Sequence, residues 1–379
     1  MPTPSGGFIN NDTVTLISPN KYTNAVSQST PIIIYKGGSG VIIPLDVTPT
    51  DSAQEIVVSE GVDGFNPVRV SPQGGKAFGA SASQVLGTIS NNGAMVKPNT
   101  PFTLDFSGVV SIPQRGFYYK FINNEGLTGN IYLPDLTTVG ASAFEYCFYG
   151  CTNLTGTFSA PELVTVGDDS FYESLSKTKI TSFSAPKIAS LPQRAFQYAF
   201  FDNDEFLSLD LSGVTTIDNR GLYNCCLNCD KVTTIDLRSV KTITGTYALS
   251  NSFENSPRLT TVLLGNLESI TGQYAFLKAF GRTGLTSFTF EKLSTMNAGA
   301  IFSGCFDRCS QLTTLSFPAL KSTSFGSYTN QFDSMLSGCR GVTVHFPSNL
   351  QSVIGSWSSV TGGFGGTNTT VLFDLTATE

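Results

Sequence analysis

The sequence predicts an α/β repeat solenoid of short parallel strands and helical turns, preceded by a small all-β N-terminal region. Three observations support this prediction. One apolar position recurs about every 26 residues between Val109 and Leu350. Within each period, one segment alternates apolar and polar residues, and another carries large apolar residues four positions apart. Residues 1–100 lack the period and contain short β-type runs between Gly, Pro and Asn turns.

The composition argues against several classes of function. Of the 379 residues, 40% are hydrophobic, which is enough for a core, and only 13% are charged. The net charge of −6, without a Lys/Arg cluster, argues against a nucleic-acid partner. No apolar run approaches the ~20 residues of a membrane span. The first residues, MPTPSGGFINNDTV, lack the basic and apolar pattern of a signal peptide, so we expect no export by that route.

The recurring apolar position defines the domain organisation. It is filled by Val109, Leu136, Leu163, Ile188, Val214, Val240, Leu267, Leu293, Leu320 and Leu350. The steps between them are 27, 27, 25, 26, 26, 27, 26, 27 and 30 residues. Such a period is typical of a solenoid, because one repeat cannot bury its apolar face without neighbours. We predict a β-rich attachment region with a linker at 1–100, about nine repeats of about 26 residues at 101–354, and a C-terminal cap at 355–379.

Each repeat has three predicted parts. The first is a short strand of the form L-x-x-V, such as Leu136 to Val139. The second carries large apolar residues four apart, such as Phe144 and Phe148, a spacing that predicts a helical turn. The third is a strand of the form L-x-x-L-x-L.

The polar residues of the L-x-x-L-x-L strand define a candidate binding face. Side chains alternate between the two faces of a strand, so the polar residues are expected to form an outward row. This row is the candidate site for a ligand, and we single out the residues Tyr132, Thr157, Ser159, Asp210, Asp236, Thr261, Thr289, Thr314 and His345.

Tyrosines in the turns are candidate aromatic anchors, because Tyr supplies large contact area at interfaces. The alternative is that they help to fill the repeat core. The candidates are Tyr146, Tyr149, Tyr172 and Tyr198.

The sequence offers no catalytic, cofactor or metal site. The eight cysteines fall into columns on different repeats, so they do not converge on one ion, and we predict a structural role. His345 is the only histidine, and we expect an ordinary surface residue. The acidic turn with Asp202, Asp204 and Glu205 leaves a Ca²⁺ site open as an alternative, although no calcium-loop motif is present.

The stretch at 136–163, LTTVGASAFEYCFYGCTNLTGTFSAPEL, resembles the leucine-rich repeats of the BspA-like kind. Their consensus runs roughly L-x-x-I-G-x-x-A-F-x-x-C-x-x-L-T-x-V-x-L-P. This sequence has about four extra residues between the Phe and the second Cys, which predicts a longer helical turn. The resemblance covers about 109–350 and implies a leucine-rich-repeat solenoid.

Two shorter stretches resemble proteins of tailed bacteriophages. VTPTDSAQEIVVSEGVDGFNPVRVSP looks like a segment of phage tail and virion-associated proteins, and its core includes Gly61, Asp63, Gly64 and Phe65. TVHFPSNLQSV and GGTNTTVLFDL look like the end of phage leucine-rich-repeat proteins. The resemblance implies a virion location, with residues 1–100 docking to other virion proteins.

These observations lead to one preferred function and two alternatives. We expect a non-enzymatic virion structural or adhesion protein, present in multiple copies or as a homo-oligomer, whose solenoid binds a host-surface or mucosal glycan or protein. The first alternative is an intracellular repeat scaffold with a protein partner. The second is a glycan-acting enzyme.

Overall fold

The computed structural model describes residues 7–10, 13–15, 33–37, 40–43, 68–70, 103–106, 109–112, 114–119 and 121–376. The chain divides into two compact units, an N-terminal unit, Met1–Ala185, and a C-terminal unit, Pro186–Glu379. This division differs from the boundaries near residues 100 and 354 that the sequence predicts, and those boundaries stay predictions.

The N-terminal unit begins with a mixed six-stranded sheet in the order β2-β1-β3-β4-β5-β6. Its strands are β1 (Gly7–Asn10), β2 (Thr13–Thr15), β3 (Ile33–Gly37), β4 (Gly40–Ile43), β5 (Val68–Val70) and β6 (Leu104–Asp105). The pairs β1–β2 and β3–β4 are antiparallel, and the other pairs are parallel. Most of the first hundred residues lie outside the described part of the chain, so an all-β N-terminal region stays a prediction.

The rest of the N-terminal unit is a parallel β-solenoid with two sheets. The first sheet contains β8 (Ile131–Tyr132), β10 (Thr157–Ser159) and β12 (Ser182–Ser184). The second contains β7 (Ser111–Ile112), β9 (Thr138–Val139) and β11 (Thr165–Val166). Both predicted strand types therefore form.

The C-terminal unit repeats this architecture with three sheets. One contains β14 (Ser208–Asp210), β16 (Thr234–Asp236) and β18 (Thr261–Leu263), and another contains β20 (Ser287–Thr289), β22 (Thr314–Ser316), β23 (Thr343–Pro347) and β24 (Thr370–Leu375). The third contains β13 (Ser190–Leu191), β15 (Thr216–Ile217), β17 (Thr242–Ile243), β19 (Ser269–Ile270) and β21 (Thr295–Met296). The two units together hold about ten solenoid turns.

Helix is scarce in the described residues. It is confined to α1 (Gln351–Ile354), α2 (Ser358–Thr361) and 3₁₀ segments at Ser322–Phe325, Ser348–Leu350 and Gly363–Gly365. The structure is therefore a parallel β-solenoid, and the predicted α/β class is wrong in its helical part.

The segments with apolar residues four apart are not helical. In the turn of residues 140–151, the backbone reaches a positive φ at every fourth residue, with φ of 54° at Ser142, 52° at Tyr146 and 69° at Gly150. Cys147 N–H donates to the oxygen of Phe144 three residues earlier, at 2.9 Å. Phe144 N–H donates to the oxygen of Ser170 in the next turn, at 2.8 Å. We call each such segment a turn ribbon. A ribbon and a helix share a period close to four, so the side-chain spacing alone did not distinguish them.

The turn ribbons bury a column of phenylalanine rings against the strands. In the N-terminal unit, the Phe144 ring lies 5.5 Å from the Phe117 ring and 5.2 Å from the Phe171 ring, measured between centroids. In the C-terminal unit, the Phe276 and Phe302 centroids are 5.3 Å apart. These rings are fully buried, at up to 1% exposure. Each turn therefore depends on its neighbours for its core, as expected of a solenoid.

The last residues of the described chain cover the final strands. β24 pairs in parallel with β23. Ile354 and Phe364 are fully buried, and the Phe364 ring lies 6.2 Å from the Phe346 ring. A C-terminal cap at 355–379, which would keep the apolar rows of the last turn from exposure, stays a prediction.

Candidate binding surfaces

The outward row of the N-terminal unit forms as predicted on β8, β10 and β12. Thr157 and Ser159 are half-exposed on either side of the buried Phe158. Tyr132 is in register with Ser159 and is 54% exposed. Asn130 accepts hydrogen bonds from the amide and hydroxyl of Thr157, at 2.8 and 3.2 Å. The result is a polar face of side chains at the spacing of neighbouring strands, ~4.8 Å.

In the C-terminal unit, the row begins with carboxylates. Asp210 and Asp236 are in register on β14 and β16, and the next residue in register is Leu263 on β18. Arg238 contacts Asp236 through two guanidinium nitrogens, Nε and Nη2, and Nε donates to Oδ1 at 2.9 Å. The hydrogen bond and the charge of Asp236 raise the pKa of Arg238. Arg238 therefore partly neutralises the negative charge of this row. On β18 the row continues with the apolar side chain of Leu263.

The remaining row residues lie on another sheet. Thr289 and Thr314 lie on β20 and β22, and Thr314 pairs in register with Thr343 of β23. His345 is half-exposed, and its Nδ1 lies 2.9 Å from Oδ1 of Asp374 on β24. The prediction of an ordinary surface histidine missed this pairing, because Asp374 is 29 residues away in sequence. Thr261 belongs to the sheet of Asp210 and Asp236.

Three of the four tyrosine candidates lie together on a face of the N-terminal unit. The Tyr146 ring centroid is 5.8 Å from that of Tyr149 and 5.4 Å from that of Tyr172. The Tyr146 hydroxyl donates to Oε1 of Glu173 at 2.9 Å. Burial, followed by this hydrogen bond and the Glu173 charge, raises the pKa of Tyr146. All three rings are half-exposed, so they both pack and present surface.

Tyr198 lies in the C-terminal unit. It packs against Phe201 and Tyr223, with ring centroids 5.6 and 5.7 Å away. The column continues to Tyr247 and Tyr274, whose rings stack at 5.1 Å. Tyr146 and Tyr198 occupy positive-φ positions, with φ of 52° and 56°, which the side-chain spacing does not indicate. Bulky residues rarely adopt that conformation.

All eight cysteines are buried and none of them forms a disulfide, in agreement with the predicted structural role. One column donates its thiols to the backbone oxygen of a phenylalanine in the preceding turn: Cys151 to Phe121 at 2.8 Å, Cys229 to Phe200 at 3.1 Å, Cys309 to Phe280 at 2.9 Å and Cys339 to Phe306 at 2.9 Å. Burial raises the pKa of Cys151 to about 12, so this thiol stays protonated and unreactive at neutral pH.

The acidic turn shows no arrangement for calcium. Nδ2 of Asn228 donates to Asp202 at 2.9 Å, and Lys231 Nζ contacts both oxygens of Glu205 at 2.7 Å. Within the described part of the chain, no three His, Cys, Asp or Glu residues are grouped so that they could hold a metal ion. No helix among those residues is long and apolar enough to cross a membrane.

A cleft of about 740 Å³ separates β18 from β20. Sequence reasoning missed it. Its walls are residues 260–266, residues 285, 287–289, 291 and 292, and Arg238. The available signal was Leu263, an apolar residue at a row position that is otherwise mostly polar; it is 36% exposed. The predicted docking residues Gly61, Asp63, Gly64 and Phe65 lie outside the described residues.

The stacked short parallel strands, with apolar columns inside and a polar row outside, define the class of leucine-rich-repeat-type solenoids. The model of the BspA-type leucine-rich repeat region matches six copies at residues 110–252 and 223–357, which is more than half of the chain. The chain therefore belongs to the BspA-type leucine-rich repeat family.

Two solved structures are similar to this chain at low sequence identity. The pneumococcal vaccine antigen PcpA is 12% identical, with 92% of this chain and 97% of that chain covered and a TM-score of 0.34. A leucine-rich cell surface protein from Faecalibacterium prausnitzii is also 12% identical, with coverages of 87% and 90% and a TM-score of 0.21. No curated protein matches the chain.

Proposed function

We propose that this chain is a non-enzymatic adhesion protein that binds a glycan or protein at a host surface or in mucus. The observation that carries the proposal is the outward row, in which polar side chains lie in register on parallel strands. Each side chain offers one weak contact, and a repeated ligand can engage several of them at once. Multiple copies of the chain would add avidity. Repeat proteins of this family are typically non-enzymatic, in agreement with a binding role.

We also propose that the chain is located on a phage virion. The resemblance of residues 47–72 to phage segments supports attachment of the chain to a virion through residues 1–100, with the repeats available for the host surface. In this setting the protein is made in the host cytoplasm and leaves in the particle. Its copies on the particle would be held by other virion proteins.

The binding role is tested with fluorescently labelled chain on purified mucin and on whole bacterial cells. We compare Ser159→Lys, in the outward row, with Thr165→Lys, an exposed position on the other sheet of the same unit. The row variant is expected to reduce retained fluorescence at least tenfold, and the control is expected to bind like the unaltered chain. Equal binding by both variants, or none by the unaltered chain on any surface, contradicts the proposal.

The location is tested separately by mass spectrometry of purified phage particles. Peptides of this chain should be present in stoichiometric amounts, and a chain without residues 1–100 should be missing from the particles. Absence of the full chain from particles refutes the virion location and leaves the adhesion test unaffected.

A further inference from the structure

The cleft between β18 and β20 results from an interruption of one sheet. β16 pairs with β18, and β20 pairs with β22, but β18 and β20 belong to different sheets. On the other side of the same turns, β19 and β21 remain paired. The strands therefore part locally, without separation of the turns.

The parting leaves backbone groups facing an open space. In a parallel strand, the N–H and C=O of one residue point to the same side, and successive residues alternate. Leu237 N–H donates to the oxygen of Leu263, so the backbone N–H and C=O of Leu263 point to β16. Those of Val262 therefore point toward β20. Phe290 N–H donates to the backbone oxygen of Ser316 in the following turn. By the same alternation, the backbone groups of Ser287 and Thr289 point toward β18. No strand pairing joins these facing groups, and both strands are accessible to solvent.

Close packing of the turns at one end of the cleft limits its length. There Gly284 packs so closely that a Cβ would lie 2.5 Å from the oxygen of Pro257. The opening spans three residues on each strand, Thr261–Leu263 and Ser287–Thr289. The volume of about 740 Å³ lies within the range of small-molecule sites, ~300–1,000 Å³.

The lining favours a neutral, hydroxyl-rich ligand. Hydroxyl groups come from Thr260, Thr261, Ser287 and Thr289, and an apolar patch comes from Leu263 and its neighbours. The Arg238 charge is paired with Asp236, whereas Lys292 Nζ donates to Oδ1 of the neutral Asn266 at 2.6 Å and keeps its positive charge. Glu291 adds one negative charge. No strong net charge remains to select an ionic ligand.

We propose that this cleft binds a neutral saccharide that carries an acetamido group. The acetamido group offers one N–H and one C=O, the same pair that a neighbouring strand would present to Val262 or Ser287. The sugar hydroxyls meet the Thr and Ser hydroxyls, and the apolar face of the ring covers Leu263. This inference rests on the proposed function, because it names the ligand class and one site for the adhesion.

The test measures binding of N,N′-diacetylchitobiose to the full chain by isothermal titration calorimetry. Cellobiose is the matched ligand, because it has hydroxyls in place of the acetamido groups. We expect diacetylchitobiose to bind at least tenfold more tightly than cellobiose. Amide hydrogen exchange at residues 260–264 and 285–290 should slow when it binds.

The matched variants are Ser287→Tyr, which fills the cleft, and Ser208→Tyr, at the first position of β14, outside it. Only Ser287→Tyr should weaken binding, by at least tenfold. Equal affinity for the two disaccharides, no binding of either, or an unaffected Ser287→Tyr chain overturns the inference. Protection of the same amides by an added peptide, without protection by the sugar, overturns it as well.

The two proposals fail in distinguishable ways. A chain that still adheres to mucin or cells but ignores diacetylchitobiose refutes the cleft assignment and keeps the adhesion role. A chain that binds diacetylchitobiose in the cleft but adheres to no surface refutes the adhesion role and keeps the site.

Discussion

The close stacking of the turns makes a sharp prediction at Gly272. A Cβ there would lie 1.9 Å from the oxygen of Gly245 in the preceding turn, whereas real Cβ atoms essentially never come closer than 3.0 Å. Gly272→Ala must therefore separate these two backbone segments by about 1.1 Å, the difference between the two distances. Its φ is not in the left-handed region, so the expected effect is steric alone.

The separation determines the magnitude. Thr271 N–H donates to the oxygen of Ile243 at 2.9 Å, and β17 pairs with β19 beside it. A backbone hydrogen bond that is lengthened by about 1 Å is broken, and each such bond contributes about 1 kcal/mol to the free energy of unfolding. Together with the cost of overpacking, we expect a loss of about 2–4 kcal/mol in the free energy of unfolding.

The measurement is urea unfolding followed by far-UV circular dichroism. Gly265→Ala is the matched control, since the nearest atom to its new Cβ is 3.9 Å away and its φ is also ordinary. The control should change the free energy of unfolding by no more than about 0.5–1 kcal/mol. Equal stability of the two variants would refute the stacking argument.

Three further predictions concern the thiols, the tyrosine cluster and the cap. Because the pKa of Cys151 is raised from 9.0 to about 12, the folded chain keeps a proton that the unfolded chain releases, and stability should fall as the pH rises above about 9. Urea titrations between pH 9 and 11 should show Cys151→Ala reducing that slope by ~1.4 kcal/mol per pH unit, and an unchanged slope contradicts the assignment. Tyr146→Phe removes the hydrogen bond to Glu173 and should cost about 1 kcal/mol, whereas Tyr149→Phe keeps its ring contacts and should be near neutral in the same unfolding assay. Removing residues 355–379 uncovers the final strand and should lower the thermal midpoint by several degrees, so an unchanged midpoint argues against a cap.

The strands were predictable because their signal is local. In β10 and β16 the buried central residue and its half-exposed neighbours follow the period of two that a strand imposes. The outward row followed from the same alternation, so the positions of Thr157 and Ser159 needed no tertiary information. The turn ribbons were not predictable in this way, because Phe144 and Phe148 fit either a helix or successive turns. The positive φ at Tyr146 leaves no mark on side-chain spacing.

The sequence by itself determined the period, the buried columns and the repeat family, because each follows from spacing within one turn. Only the tertiary structure decided which strands of neighbouring turns pair through hydrogen bonds and which do not. The strands on either side of the cleft, β18 and β20, begin a regular 26 residues apart, at Thr261 and Ser287, so the period gives no sign of the cleft. Strand pairing joins residues about 26 apart, and it depends on how the side chains of both turns pack together. That long-range packing left β18 and β20 unpaired with each other and opened the cleft between them.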